Sequence, residues 1–202
     1  MNNPSRLIIF DVGGVLYTLD YERTWESISA VCEKPIEAIK NVLYEENTFV
    51  PFEKGTLSTV QYYTAVCHRL CCRLGFDEFK KAFNLFLIKR PEMFRLLARL
   101  KQKARIHFLS NTNTINAEVL HSSLLAISDG ITYSFETGYR KPEPEIYRIA
   151  LHREKTSPGD TIFIDDSEEN VDTAAALGMH THLFTDIHQL LLFMKKRGIV
   201  LS

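Results

Sequence analysis

Three short apolar runs, each closing on polar side chains, constrain this chain more than any other feature. They are Leu7–Phe10 before Asp11, Ile106–Leu109 before Ser110 and Asn111, and Ile162–Ile164 before Asp165 and Asp166. A run without polar alternation suits a strand buried on both faces, the condition of parallel strands covered by helices. Helical spacing follows at Met93, Leu96, Leu97 and Leu100, at Ile146, Ile149 and Ala150, and at Val171, Ala174, Ala175 and Leu177. Gly178 is placed to end the last of these in a left-handed turn. Weaker strands are expected at Ile131–Phe135 and Thr181–Phe184, and a closing helix at Ile187–Lys196. Alternation of strand and helix predicts an α/β fold with right-handed crossovers.

Between about Leu19 and Lys89 no buried-strand run occurs and helical patterning dominates, as at Tyr63, Cys67, Cys71 and Leu74. This predicts an all-helical insertion after the first strand. Residues 1–17 and 90–202 then form the core, and residues 18–89 the inserted cap. A balance of 24 basic against 25 acidic residues offers no bulk attraction to nucleic acid or an anionic membrane surface, so a small molecule is the expected partner. The first apolar stretch is too short for a secretory core or a membrane span, and three of the four cysteines crowd together, unlike a disulfide framework. Reduced thiols and a cytoplasmic location are the expectation. Whether the chain is a monomer or a homodimer is left open.

In an open parallel sheet, ligands bind beyond the carboxyl ends of the strands. Asp11, Ser110 with Asn111, and Asp165 with Asp166 would converge there. Adjacent acids at one strand end repel each other unless a cation or firm donors compensate them, and Mg²⁺ fits because it takes a few carboxylate oxygens together with water and substrate phosphate. Lys141, in the turn before a helix starting near Glu143, adds a fixed positive charge. A nucleophile, a metal cage, a hydroxyl or amide and a cation make up the equipment of phosphoryl transfer.

Four motifs then match one family in order: Ile9-Phe10-Asp11-Val12-Gly13-Gly14-Val15-Leu16, Leu109-Ser110-Asn111-Thr112-Asn113, Lys141-Pro142-Glu143-Pro144-Glu145-Ile146-Tyr147 and Phe163-Ile164-Asp165-Asp166-Ser167-Glu168-Glu169-Asn170. The chain resembles the haloacid dehalogenase-like hydrolases. Gly13 and the segment Phe52-Glu53-Lys54-Gly55-Thr56-Leu57-Ser58 resemble most the branch that includes α-D-glucose-1-phosphate phosphatase. The resemblance implies a Rossmann-like three-layer α/β/α core with a helical cap. It implies a Mg²⁺-dependent phosphatase acting on a small phosphorylated metabolite, such as a hexose 1-phosphate, through an aspartyl-phosphate on Asp11. Mg²⁺ would be held by Asp11, the Gly13 carbonyl and Asp166, with Asp165 as support or ligand. Ser110, Asn111, Gly13 and Gly14 would line the phosphate, and Lys141 would neutralise charge.

The family pattern has a second aspartate where this chain has Gly13. General acid-base help contributes about a hundred- to ten-thousandfold in rate, so its loss favours substrates with good leaving groups or a replacement group. Asp20 and Glu53 are the nearest candidates for that replacement. Two other functions stay in view: a catalytically degenerate binding or regulatory protein, and a metal-independent dehalogenase, which the acid pair disfavours. Cys67, His68, Cys71 and Cys72 lack standard zinc spacing and read as core, while His180 and His182 share one face of an edge strand in a packing role.

Overall fold

In the computed structural model, which describes residues 6–200, the chain builds a five-stranded parallel sheet between two helical layers. Residues 1–5 and 201–202 at the ends of the expected core segments lie outside the described residues. The elements run β1 (Leu7–Phe10), β2 (Tyr17–Leu19), α1 (Tyr21–Cys32), α2 (Ile36–Leu43), α3 (Glu46–Glu53), α4 (Thr59–Leu70), α5 (Phe76–Phe83) and β3 (Leu87–Lys89). They continue with α6 (Pro91–Leu100), β4 (Arg105–Ser110), α7 (Thr114–Leu125), β5 (Gly130–Tyr133), α8 (Ser134–Thr137), α9 (Pro144–Arg153), β6 (Thr161–Asp165), α10 (Glu168–Ala176), β7 (His180–Leu183) and α11 (Ile187–Lys196).

The sheet order is β5-β4-β1-β6-β7, with every pairing parallel. β1 lies in the middle because all four of its residues are apolar and buried. Successive side chains of a strand face opposite layers. Ile8 and Phe10 pack with Met93, Leu97, Leu120 and Met194, whereas Leu7 and Ile9 pack with Ile146, Ala150 and Ala174. From β1 the chain fills one side of the sheet through β4 and β5, then crosses back to β6 and β7 on the other. The order therefore reverses around β1, which opens a crevice at its carboxyl end.

The stretch read as wholly helical carries two strands at its edges. β2 and β3 pair antiparallel, Tyr17 with Lys89 and Leu19 with Leu87, so the chain leaves and re-enters the core through one narrow ribbon. Three-residue strands of mixed burial leave no periodicity to read, which is why they escaped the sequence pattern. Beyond the ribbon, α1 to α5 bury a separate apolar cluster that includes Ile28, Ile39, Phe52, Tyr62, Phe79 and Phe83, and Ile115 of α7 joins it. Phe52 stacks on Tyr62 with ring centroids 4.2 Å apart, and the Tyr62 hydroxyl donates to the Leu43 carbonyl at 2.6 Å.

α4 starts on a capping box, in which Ser58 accepts from the Gln61 N–H and the Gln61 side chain accepts from the Ser58 N–H. Its buried stripe is Tyr62, Val66 and Leu70; of the expected Tyr63, Cys67, Cys71 and Leu74, Leu74 is buried in the same cluster, Tyr63 and Cys67 pack against its edge and Cys71 is exposed. The helix stops at Leu70, and Cys71 turns left-handed and exposed. This stop brings Cys72 to the end of α1, where it forms a disulfide with Cys32 across a Cα separation of 5.1 Å. The expectation of four reduced thiols is corrected accordingly: Cys67 and Cys71 alone are free. Partners 40 residues apart are invisible to spacing rules.

His180 and His182 lie on the edge strand β7, and His182 stacks on Phe193 at 4.7 Å. Among the described residues no helix is long and apolar enough to cross a membrane.

Phe52→Ala is expected to cost about 3–5 kcal/mol in urea unfolding, because it removes a fully buried ring from the small helical cluster. A loss below about 1 kcal/mol would mean that this cluster does not hold the helices together.

Candidate active site

The three apolar runs deliver their closing residues to one place. Asp11 follows β1 and donates its N–H to the Ile164 carbonyl at 2.8 Å, which ties the start of its loop to β6. Ser110 ends β4 on one flank, and Asp165 ends β6 on the other. Lys141 enters from the turn before α9 and is almost wholly buried, 2% exposed. Its Nζ lies 2.6 Å from Asp11 Oδ1 and 2.6 Å from Asp165 Oδ2. One ammonium thus bridges two strand-end carboxylates.

Asp165 has its other oxygen engaged as well. Oδ1 accepts from the Ser167 N–H at 2.9 Å and from the Asn170 side-chain amide at 3.0 Å. Asp166, the next residue, is exposed. Asp11, Asp165 and Asp166 form a group whose ligand oxygens all lie within 4.8 Å of one another. That spacing suits a hard divalent cation held by oxygen. Gly14 makes the approach possible. Its φ is +69°, and a Cβ there would fall 1.8 Å from Asp166 Oδ2.

Electrostatics follow from burial. Desolvation pushes the Asp11 carboxyl up, Lys141 pulls it down and the Asp165 charge raises it again, leaving it at about 7. Burial raises Asp166 too, with Asp165 adding to the effect and Lys141 opposing it. Lys141 moves the favourable way: burial works against its charge, but Asp11 and Asp165 outweigh it and its pKa is raised. Three acids facing one base leave an excess of negative charge that a bound cation would relieve.

Asn111 departs from the expected arrangement. Its side-chain nitrogen donates to the Lys141 carbonyl at 2.8 Å and its oxygen accepts from the Lys141 N–H at 2.7 Å. The carboxamide assigned to phosphate from sequence is therefore engaged in bracing the lysine loop, a pairing across 30 residues that no local signal shows.

A cavity of about 70 Å³ opens beside this cluster. Val12, Gly13, Ser110, Asn111 and Thr112 form its floor. Leu19, Tyr21, Tyr44, Phe49, Phe83 and Phe86 form much of its wall, with Glu53 the carboxylate among them. Sequence reasoning missed this wall because its members are scattered over the ribbon, three helices (α1, α3 and α5) and the residues that follow α2 and α5. Leu19 packs over the glycine at position 13: a Cβ there would meet Leu19 Cδ1 at 3.3 Å, so an apolar branch covers the floor where the family pattern has a carboxylate. Asp20 precedes α1, donates its N–H to the Phe86 carbonyl at 2.9 Å and is not among the lining residues. Glu53, at the end of α3, is 7% exposed and pairs with Arg140 at 3.2 Å. Among the described residues, the Cys67–Cys72 segment offers no cluster with converging metal-ligand atoms.

Residues 5–178 match the haloacid dehalogenase-like hydrolase pattern. The chain belongs to this family. It is 33% identical over 189 residues to the sesquiterpene phosphatase astK of Aspergillus oryzae, covering 89% of each chain. With the D-ribitol-5-phosphate phosphatase of Bacteroides thetaiotaomicron it shares 25% identity over 185 residues, covering 86% of this chain and 89% of that one. Drimenol cyclase drtB of Aspergillus calidoustus is 30% identical over 89% of this chain, which spans 34% of that longer protein. In three dimensions this hydrolase is similar to a haloacid dehalogenase family enzyme from Bacteroides thetaiotaomicron, solved with magnesium and inorganic phosphate. The TM-score is 0.84 at 26% identity, covering 92% of this chain and 98% of that one.

Two outcomes follow from the charge cluster. An aspartate raised from 3.8 to about 7 resists ionisation in the folded chain, so folding is penalised progressively as pH rises from about 4 to about 7. In metal-free buffer, Asp11→Asn is expected to unfold at higher urea than wild type at pH 8, with the gap closing toward pH 4; a less stable variant at pH 8 would refute this. Mg²⁺ is expected to raise the thermal midpoint of the wild type but not that of Gly14→Ala, since the methyl and the Asp166 carboxylate cannot share one volume; an equal rise in both would refute this.

Proposed function

We propose that this hydrolase is a magnesium-dependent phosphatase that forms an aspartyl-phosphate on Asp11 and releases a largely apolar alcohol. The observation that carries the chemistry is the buried Lys141 ammonium bridging Asp11 and Asp165 at the strand ends. The names of the astK and ribitol-5-phosphate relatives, and the magnesium and phosphate in the similar solved structure, support the reaction type.

The residues present fit a magnesium ion. Asp11, Asp166 and the Gly13 carbonyl would hold it, and Asp165 would act from behind, since both its oxygens are already bonded. Bound there, the ion supplies positive charge to the phosphoryl oxygens. Lys141 fixes the Asp11 carboxylate and neutralises charge as the Asp11 oxygen attacks phosphorus and the ester bond to the alcohol breaks. Ser110, 3% exposed on the floor, would donate its hydroxyl to a phosphoryl oxygen, with Gly13 and Gly14 alongside. Asn111 keeps Lys141 in place through its main chain. Water then attacks the phosphoryl group and frees Asp11. The helical insertion over residues 18–89 would act as the cap that encloses this chemistry.

The apolar share of the cavity wall supports this substrate class. Sugar hydroxyls need hydrogen-bond partners; Tyr21, Tyr44, Glu53 and Asn116 are the polar side chains of the wall, whereas Leu19, Phe49, Phe83, Phe86 and Leu87 offer none. An isoprenyl or alkyl chain instead gains about 0.8 kcal/mol for each buried methylene. This departs from the hexose 1-phosphate expected from the sequence. The closed cavity is small beside the roughly 300–1,000 Å³ of ligand pockets, so a chain of that kind requires outward movement of the helical layer.

Phosphate release with Mg²⁺ from isoprenyl and alkyl monophosphates is the test, set against hexose and pentitol phosphates. The expected kcat/KM rises by about three- to fourfold per added methylene until the wall is filled. Asp11→Asn and chelation should each abolish release. No Asp11-dependent release from any ester would overturn the reaction, and faster turnover of the sugar phosphates would overturn the substrate class.

A further inference from the structure

Departure of an alkoxide from phosphorus calls for a proton, and the strand-end cluster has none well placed to give. Lys141 is held between two carboxylates, and Asp11 is the proposed nucleophile. We propose that Glu53, carried in by the helical insertion, is the catalytic acid that protonates the leaving oxygen and then the base that activates water. This rests on the phosphatase reading. In the first step the Asp11 oxygen bonds to phosphorus, the bond from phosphorus to the alcohol oxygen breaks, and the Glu53 proton passes to that oxygen. In the second, Glu53 takes a proton from water as its oxygen attacks phosphorus, and the bond to Asp11 breaks to give inorganic phosphate.

Glu53 is the carboxylate that lines the cavity together with Gly13 and Ser110. It is 7% exposed, and its buried Oε2 makes no hydrogen bond although Arg140 Nη2 lies 3.2 Å away. A buried carboxylate oxygen left without a hydrogen bond is costly and points to an absent partner. Its placement is enforced twice. Lys54 Nζ donates to Glu143 Oε1 at 2.5 Å, pinning the next residue to the core. Gly55, with φ +71°, lies where a Cβ would come within 2.0 Å of the Phe135 carbonyl oxygen, so the turn after Glu53 seats directly on the core backbone.

The surroundings suit a proton carrier. Burial raises the Glu53 carboxyl above the usual glutamate range, while Arg140 and Lys141 pull it down. The phenols that feel its charge, Tyr21, Tyr44 and Tyr62, are all raised, burial being the main cause. They remain protonated near neutrality. The competing role for Glu53 is an ion pair with Arg140 that merely holds the insertion closed.

The two roles separate on leaving groups. With wild type, Glu53→Gln and Glu53→Asp, kcat/KM is measured for 4-nitrophenyl phosphate, phenyl phosphate and an alkyl phosphate, alongside thermal unfolding. An acid is needed least by nitrophenolate. Glu53→Gln should therefore lose about 10²- to 10⁴-fold on the alkyl ester but less than about tenfold on 4-nitrophenyl phosphate, with partial recovery in Glu53→Asp. An equal loss on all three esters, or none on the alkyl ester, would overturn the assignment while leaving the phosphatase reading intact. Absence of Asp11-dependent turnover of every ester would overturn both.

Discussion

The buried ammonium of Lys141 between Asp11 and Asp165 is the interaction on which the rest of this architecture turns. Its two contacts of 2.6 Å join the end of β1 to the end of β6 through a side chain from the turn before α9. Removing the ammonium from such a buried set typically costs about 3–5 kcal/mol, because it strands the two carboxylates that remain. The surrounding groups act to keep it whole. Asn111 grips the Lys141 backbone, and Ser167 and Asn170 saturate the far oxygen of Asp165. Negative charge still exceeds positive, an excess that a bound cation would relieve.

The core was legible because its chemistry is local. A four-residue run such as Leu7–Phe10 is long enough to declare a doubly buried strand, and Asp11 and Asp165 fall where such strands stop. The closing helix Ile187–Lys196 lies where its periodicity put it. Features made by distant partners were not legible. Asn111 was expected to line phosphate because it closes an apolar run beside Ser110, and nothing near it announces a bond to residue 141. Leu19 over Gly13, the Cys32–Cys72 bridge and the β2–β3 ribbon share that character. α10 was legible in position but less so in burial: Ala174 is its buried residue, while Ala175 faces out.

Labour is divided between the two parts of the chain. The sheet supplies the charged groups, and the helices supply the aromatic wall and Glu53. Two oppositely directed ion pairs cross between them, Glu53 with Arg140 and Lys54 with Glu143. Adjacent residues of α3 and its end thus meet the lysine turn with alternating sign, which fixes the register of one part on the other more firmly than a single pair would.

The β2–β3 ribbon has a mechanical meaning. Both chain connections to the helices pass through these two short strands, and the Arg90 N–H donates to the Leu16 carbonyl at 2.9 Å at their base. A lever mounted on a single pivot transmits its swing to whatever is attached near the fulcrum. Leu19 sits on that lever, against Gly13. Tilting the helices outward would therefore lift a stopper from the floor of the site in the same stroke, so that admission of substrate and uncovering of the reactive loop become one motion.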